Sequence, residues 1–111
     1  MMVFKICTAE EWRAAEADGV FAGAAIDLAD GYIHFSTRAQ VEETARRHFA
    51  GRDGLVLVAI DADRLGPALR WEPSRGGDLF PHLHGPLPTT AATHVDPLPR
   101  GESGEHVFPW A

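Results

Sequence analysis

The sequence predicts a single compact α+β domain built from a small mixed or split β-sheet and two main helices, and three observations carry that reading. Thr8 is followed three residues on by Glu11, and Thr37 by Gln40, which are two capping-box signatures placed directly after strand-like runs. Residues 55–60 read Leu-Val-Leu-Val-Ala-Ile, the unbroken apolar run of a strand covered on both faces. The length, 111 residues and 12.1 kDa, holds one core and no second one.

In chain order, residues 3–6 make a first strand, and the Thr8/Glu11 box opens a helix running to about residue 18, with Ala9, Trp12 and Ala15 inward and Gly19 as a left-handed stop. Residues 20–30 show no clean period, so their Ala- and Gly-rich composition reads as a loop or short irregular element closed by an Asp30-Gly31 turn. Residues 32–36 alternate in the strand period, which puts Ile33 and Phe35 on the core face and Tyr32, His34 and Ser36 on the other. The Thr37/Gln40 box then opens a helix to about residue 50 with a Val41, Ala45, Phe49 stripe. Residues 55–60 are the sheet centre, and residues 61–66 a short helical turn. Residues 69–72 return as a strand with Leu69 and Trp71 inward, ended by Pro73. Pro81 and Pro86 argue against an interior strand in 79–86 and predict a partly extended segment at the surface. After a last strand at 90–95, the globular domain is expected to span 1–96, with 97–111 a flexible tail anchored only by Phe108 and Trp110.

Composition excludes whole classes of function. Hydrophobic residues at 45% and charged residues at 23% are neither disordered nor membrane-like. Sixteen acidic against ten basic residues give a net charge of −6, which argues against nucleic-acid and anionic-membrane partners. No export signal or spanning apolar run is visible, which predicts a cytoplasmic location. The single cysteine, Cys7, makes no internal disulfide and no cysteine metal centre; at the start of a capped helix it is either a buried small hydrophobe or an activated thiol. The only lysine, Lys5, follows no glycine loop, so a phosphate-binding loop of the triphosphatase kind is absent.

His34 and Ser36 share the outward strand face at the point where the chain enters a helix. Free amides at a helix start favour an anion or carbonyl there, so Ser36 and Thr37 are read either as plain caps or as ligand contacts. His82 is presented between Pro81 and Leu83 as a ligand-binding or acid–base imidazole. His82 and His84, two apart, would grip a metal with His34 only if the fold brought all three together, and no metal is assigned. Arg70 and Glu72 share a strand face, and Arg75 follows in a glycine-rich turn; for Arg70 a surface ion pair is preferred, while Glu72 and Arg75 are candidates for a polar ligand.

The runs Gly31-Tyr32-Ile33-His34-Phe35-Ser36-Thr37, Leu69-Arg70-Trp71-Glu72 and Phe80-Pro81-His82-Leu83-His84-Gly85, in that order, make the chain resemble the bacterial domain-of-unknown-function family 952. One departure is His84, where a tyrosine is expected more often. The resemblance implies a fold similar to that of ADP-ribosyltransferases, with nicotinamide dinucleotide (NAD) in a cleft between two sheet halves. It then implies Lys5 as the polar residue of the first strand, Tyr32 through Ser36 as the second element of the site, and a residue between Glu72 and His82 as the third. In an active version Tyr32 or Phe80 would stack on a ring, His34 and Ser36 hold ribose hydroxyls, Arg75 a phosphate, and Glu72 the developing positive charge. Glu72 and His34 are thus the expected catalytic pair. Lys5, Tyr32, Ser36, Thr37, Arg75, Phe80 and His82 are the expected ligand contacts, with no required cofactor and NAD as a substrate. The alternatives are a noncatalytic module for a small ligand or peptide, and a His-ligated metal hydrolase.

Overall fold

Along the chain the elements are β1 (Met2–Thr8), α1 (Ala9–Asp18), β2 (Val20–Phe21), α2 (Ala25–Asp30), β3 (Ile33–His34), β4 (Ser36–Thr37), α3 (Arg38–His48), β5 (Leu55–Asp61), β6 (Leu69–Pro73), β7 (Leu79–Leu83), β8 (Leu87–Pro88) and β9 (Ala92–Pro97). The computed structural model describes residues 1–110, apart from the Arg75 side chain. Among these the ladders are antiparallel and fall into three sheets, of order β4-β1-β5-β9, β3-β7-β6 and β2-β8. The split sheet is therefore found, and a mixed one is not.

The four-stranded sheet is covered on both faces, as the apolar run in β5 demands. Val3 and Cys7 of β1 with Val58 and Ile60 of β5 face a cluster completed by Trp12, Ala15, Phe21, Ile33 and Leu83. Phe4 and Ile6 with Leu55, Leu57 and Ala59 face a second cluster that holds Val41 and Ala45 of α3. The Thr8 box is complete, Thr8 Oγ1 accepting from Glu11 N at 3.0 Å and Glu11 Oε1 from Thr8 N at 2.8 Å, while at Thr37 the reciprocal half is made, Gln40 Oε1 accepting from Thr37 N at 3.0 Å.

Four expectations are corrected. The segment without a period contains α2, a third helix, whose residue Asp27 turns a side-chain oxygen back onto Ala24 N at 2.8 Å. Trp71 is 40% exposed rather than inward. The segment around Pro81 is an interior strand, because β7 lies between β3 and β6. A strand residue aims its N–H and C=O to the same side, and the Pro81 carbonyl accepts from Phe35 N at 3.0 Å, just where pairing with β3 ends at His34. The missing donor thus faces the mouth of the ladder and costs no interior bond. Finally, the residues after 96 fold back onto the domain. Leu98 and Phe108 are buried in the second cluster, and Trp110 packs edge-on to Phe4 at 5.2 Å beneath the Arg38 guanidinium at 3.9 Å.

Candidate functional site

Where β4 leaves β1, the sheet is left open, and the register shows which atoms face the opening. Leu98 N donates to Leu55 O, so the odd residues of β5 bond towards β9 and the even ones towards β1. Through the β1–β5 register, Val3, Lys5 and Cys7 bond to β5, while Phe4, Ile6 and Thr8 aim their backbone groups the other way. Phe4 meets Ser36, and Thr8 N is taken by Glu11. The same register would next pair Ile6 with His34. Instead His34 N donates to Asp27 Oδ1 at 3.0 Å, and the chain passes through buried Phe35 between the two sheets. Ile6 therefore has no partner in β4, and it lines a cleft of about 590 Å³. That volume lies within the range of small-molecule sites, roughly 300–1,000 Å³.

The cleft is walled by Phe4, Phe35, Phe49, Phe80 and Ile26, with Lys5, Asp30, His34, Ser36, Thr44 and His82 among its polar lining and His48 and Arg52 at the C-terminal end of α3. The structure brings together Lys5, His34, Ser36, Phe80 and His82 of the expected site. Among the described residues Tyr32, Thr37 and Glu72 are not part of the lining, and the Arg75 side chain lies outside what is described.

Two carboxylates organise the polar residues. Asp27 is 1% exposed and binds the Lys5 ammonium through both oxygens, at 2.9 and 2.8 Å, with Lys5 itself 4% exposed. The same carboxylate accepts from Ala24 N and His34 N and stands 2.6 Å from His34 Nδ1. Burial opposes its charge, but the His34 hydrogen bond and the Lys5 charge outweigh burial and hold the carboxyl at about 2. Lys5, which the resemblance implied as the polar residue of the first strand, lines the cleft with its charge paired to Asp27. His34 Nε2 meets Asp30 Oδ2 at 2.9 Å, so this ring sits between two carboxylates. Gly23 is required here, since its φ is 123° and an added Cβ would lie 2.8 Å from Asp27 Cβ.

The second carboxylate, Glu72, is not among the residues that line the cleft, although the β6–β7 register sets it on the same face as Phe80 and His82, which do. Its Oε1 lies 2.9 Å from His82 Nδ1 and 2.8 Å from His84 Nε2. Those bonds, the one from His84 foremost, hold its carboxyl below the usual range. Tyr32 fills the space between the imidazoles, its ring 4.7 Å from His34, 4.2 Å from His82 and 5.2 Å from His84. Burial pushes its hydroxyl upward, helped by the charges of Asp30 and Glu72. Ser36 Oγ is 2.9 Å from Thr44 Oγ1, which ties the cleft floor to α3. Cys7 is buried, and burial pushes its thiol up to about 12, so of its two expected roles the structural one is found. No group of three or more His, Cys, Asp or Glu among the described residues is arranged to hold a metal ion.

Sequence reasoning missed Asp27, Asp30 and the Ile6 backbone. The signal for Asp27 was present, because Gly23 and Gly31 bracket a short helix with an acidic residue three positions after Ala24.

The class defined by this architecture is a small α+β domain of split antiparallel sheets with a cleft at the split, and no helix among the described residues is long and apolar enough to cross a membrane. The chain belongs to the family described as protein of unknown function DUF952, whose model matches residues 6–95. It is similar to protein CC0527 of Caulobacter crescentus. The crystal structure of that protein is 45% identical with a TM-score of 0.93, covering 96% of this chain and 94% of the other. Its solution structure is 46% identical with a TM-score of 0.85, covering 94% and 90%. Comparison with curated proteins gave no match.

Proposed function

We propose that the cleft binds a small nucleotide of the NAD or ADP-ribose class, in keeping with the likeness to ADP-ribosyltransferases read from the sequence. The observation that carries this is that β1–β4 pairing ends at Phe4, so that Ile6 has no strand partner on that side where it lines a cleft rimmed by aromatic walls and by His34 and His82. A flat group bearing an adjacent donor and acceptor, as a carboxamide or an adenine edge does, restores two hydrogen bonds that the sheet gives up there. The phenylalanine walls supply apolar cover for a ring, and Ser36 and the two histidines supply polar partners for the sugar.

One observation favours a catalytic version. The Glu72 carboxylate takes the Nδ1–H of His82 as its hydrogen-bond donor, which leaves Nε2 of a cleft-lining ring to accept or deliver a proton. In this reading His82 is the acid–base group and Glu72 a positioning residue behind it.

The test is an amide-resolved NMR titration with ADP-ribose and NAD. Saturable shifts at Ile6, His34 and His82 are expected, and saturation without them, or none at millimolar ligand, overturns the reading. Incubation with NAD then separates binding from turnover. If His82 is the acid–base group, His82→Gln abolishes product formation while retaining binding, and Glu72→Gln shifts the pH profile of the rate; unchanged rates in both variants reject catalysis through this pair.

A further inference from the structure

We infer that His34 Nε2 is the oxyanion-receiving point of the cleft, and that Asp30 occupies it as a built-in competitor. This uses the cleft described above but does not depend on the ligand being a nucleotide.

Asp27 and Lys5 form a buried, mutually bonded pair, and Asp27 also takes the Nδ1 side of the His34 ring. The other side, Nε2, points to a carboxylate of a different kind. Asp30 is exposed, is the last residue of α2, lines the cleft, and is followed by Gly31 at φ 86°. Two acceptors on one imidazole are served together only when both ring nitrogens carry hydrogen, so the ring is set up as a donor to an anion at Nε2. Lys5 and Asp27 offset one another, so Asp30 is the one carboxylate of this group without a buried cation of its own, and it stands at His34 Nε2. Tyr32 and His82 pack against the His34 ring, with centroids 4.7 and 5.5 Å away, and fix the direction of its Nε2. An incoming phosphate or carboxylate reproduces the Asp30 hydrogen bond, and the exposed Asp30 side chain at the end of α2 can turn into solvent when it is displaced.

The experiment compares the full chain with the Asp30→Asn variant, following the His34 ring Cε1–Hε1 signal during titration with inorganic phosphate and, separately, with acetate. Asp30 is exposed, so the variant retains the fold. We expect a saturable His34 shift in Asp30→Asn with an affinity at least tenfold above that of the unchanged protein, lost on adding His34→Gln. Tighter binding of phosphate than of acetate assigns a phosphoryl group to the ligand, and the reverse order a carboxylate. Equal affinities with and without Asp30, or no His34 response to either anion in the variant, overturn the inference. If phosphate binds as expected and ADP-ribose does not, the nucleotide reading falls and the anion point stands.

Discussion

Replacing Asp27 by Asn removes the counter-charge that, among the described residues, is paired with a lysine that is 4% exposed. Breaking one partner out of a buried ion pair costs about 3–5 kcal/mol, because the remaining charge stays desolvated. Against the roughly 5–15 kcal/mol that holds a domain of this size together, that is at least about a fifth of the total. With a urea dependence of about 1–3 kcal/mol per molar, the unfolding midpoint should fall by about 2 M. The second arm of the test is the double variant Lys5→Met, Asp27→Asn. Removing both charges takes away the uncompensated ammonium, so the double variant should recover more than half of the loss, and the cycle should give a coupling of about 2 kcal/mol or more. The pH dependence has a definite sign. A carboxyl depressed from 3.8 to about 2 stabilises the fold above pH 4, and that contribution, about 2 kcal/mol, disappears as pH falls from 4 to 2. The midpoint difference between the unchanged protein and Asp27→Asn should therefore narrow across that window. A loss below about 1 kcal/mol at neutral pH, or strict additivity in the cycle, would show that Lys5 is stabilised by something other than Asp27 and refute the reasoning.

Phe108→Ala should destabilise the protein by about 3 kcal/mol in urea unfolding, since a buried phenylalanine of the second cluster is removed; a change within 0.5 kcal/mol, taken as about the scatter of surface substitutions, would mean the C-terminal segment contributes no core. Cys7 should resist a thiol reagent at pH 8 and react promptly once urea unfolds the chain, because its thiol is pushed up to about 12; rapid labelling of the native protein would contradict its burial. Gly23→Ala should cost more than Gly66→Ala in the same urea assay. Both positions have positive φ, but only at Gly23 does the new Cβ strike a neighbour, Asp27 Cβ at 2.8 Å, and equal costs would remove the packing argument.

Much of the frame was legible because it is local. Capping boxes at Thr8 and Thr37 and the apolar run at 55–60 are properties of a few consecutive residues, and they locate β1, α1, α3 and β5 closely. Strand alternation also put His34 on the outward face, and the structure sets it directly opposite His82 in the β3–β7 register. The failures are non-local. Asp27 acquires its role from Lys5, 22 residues away, and no period in 20–30 announces it. Pro81 was read as a breaker because its tolerance depends on which side of the strand its absent N–H faces, and that is decided by Phe35 in another element. Glu72 was given to the substrate through the resemblance and its place beside Trp71, neither of which shows the two histidines that share its Oε1. The Ile6 backbone cannot be seen at all from sequence, since it matters only because β4 stops two residues short of it.

The attachment of α2 carries a thermodynamic signature of its own. Its one buried residue is Asp27, while Ile26 and Leu28 are 58% and 65% exposed, so the helix is held by polar bonds with almost no apolar surface covered. Global unfolding of a domain raises the heat capacity because it exposes apolar groups, by about 12–15 cal/mol/K per residue. Detaching α2 alone exposes a carboxylate, an ammonium and a few amides, whose hydration changes heat capacity weakly and in the opposite direction. Its opening free energy therefore has little curvature with temperature, so the ratio of α2 opening to whole-domain unfolding changes on cooling, and the wall of the cleft that α2 supplies follows a temperature law different from that of the sheets beneath it.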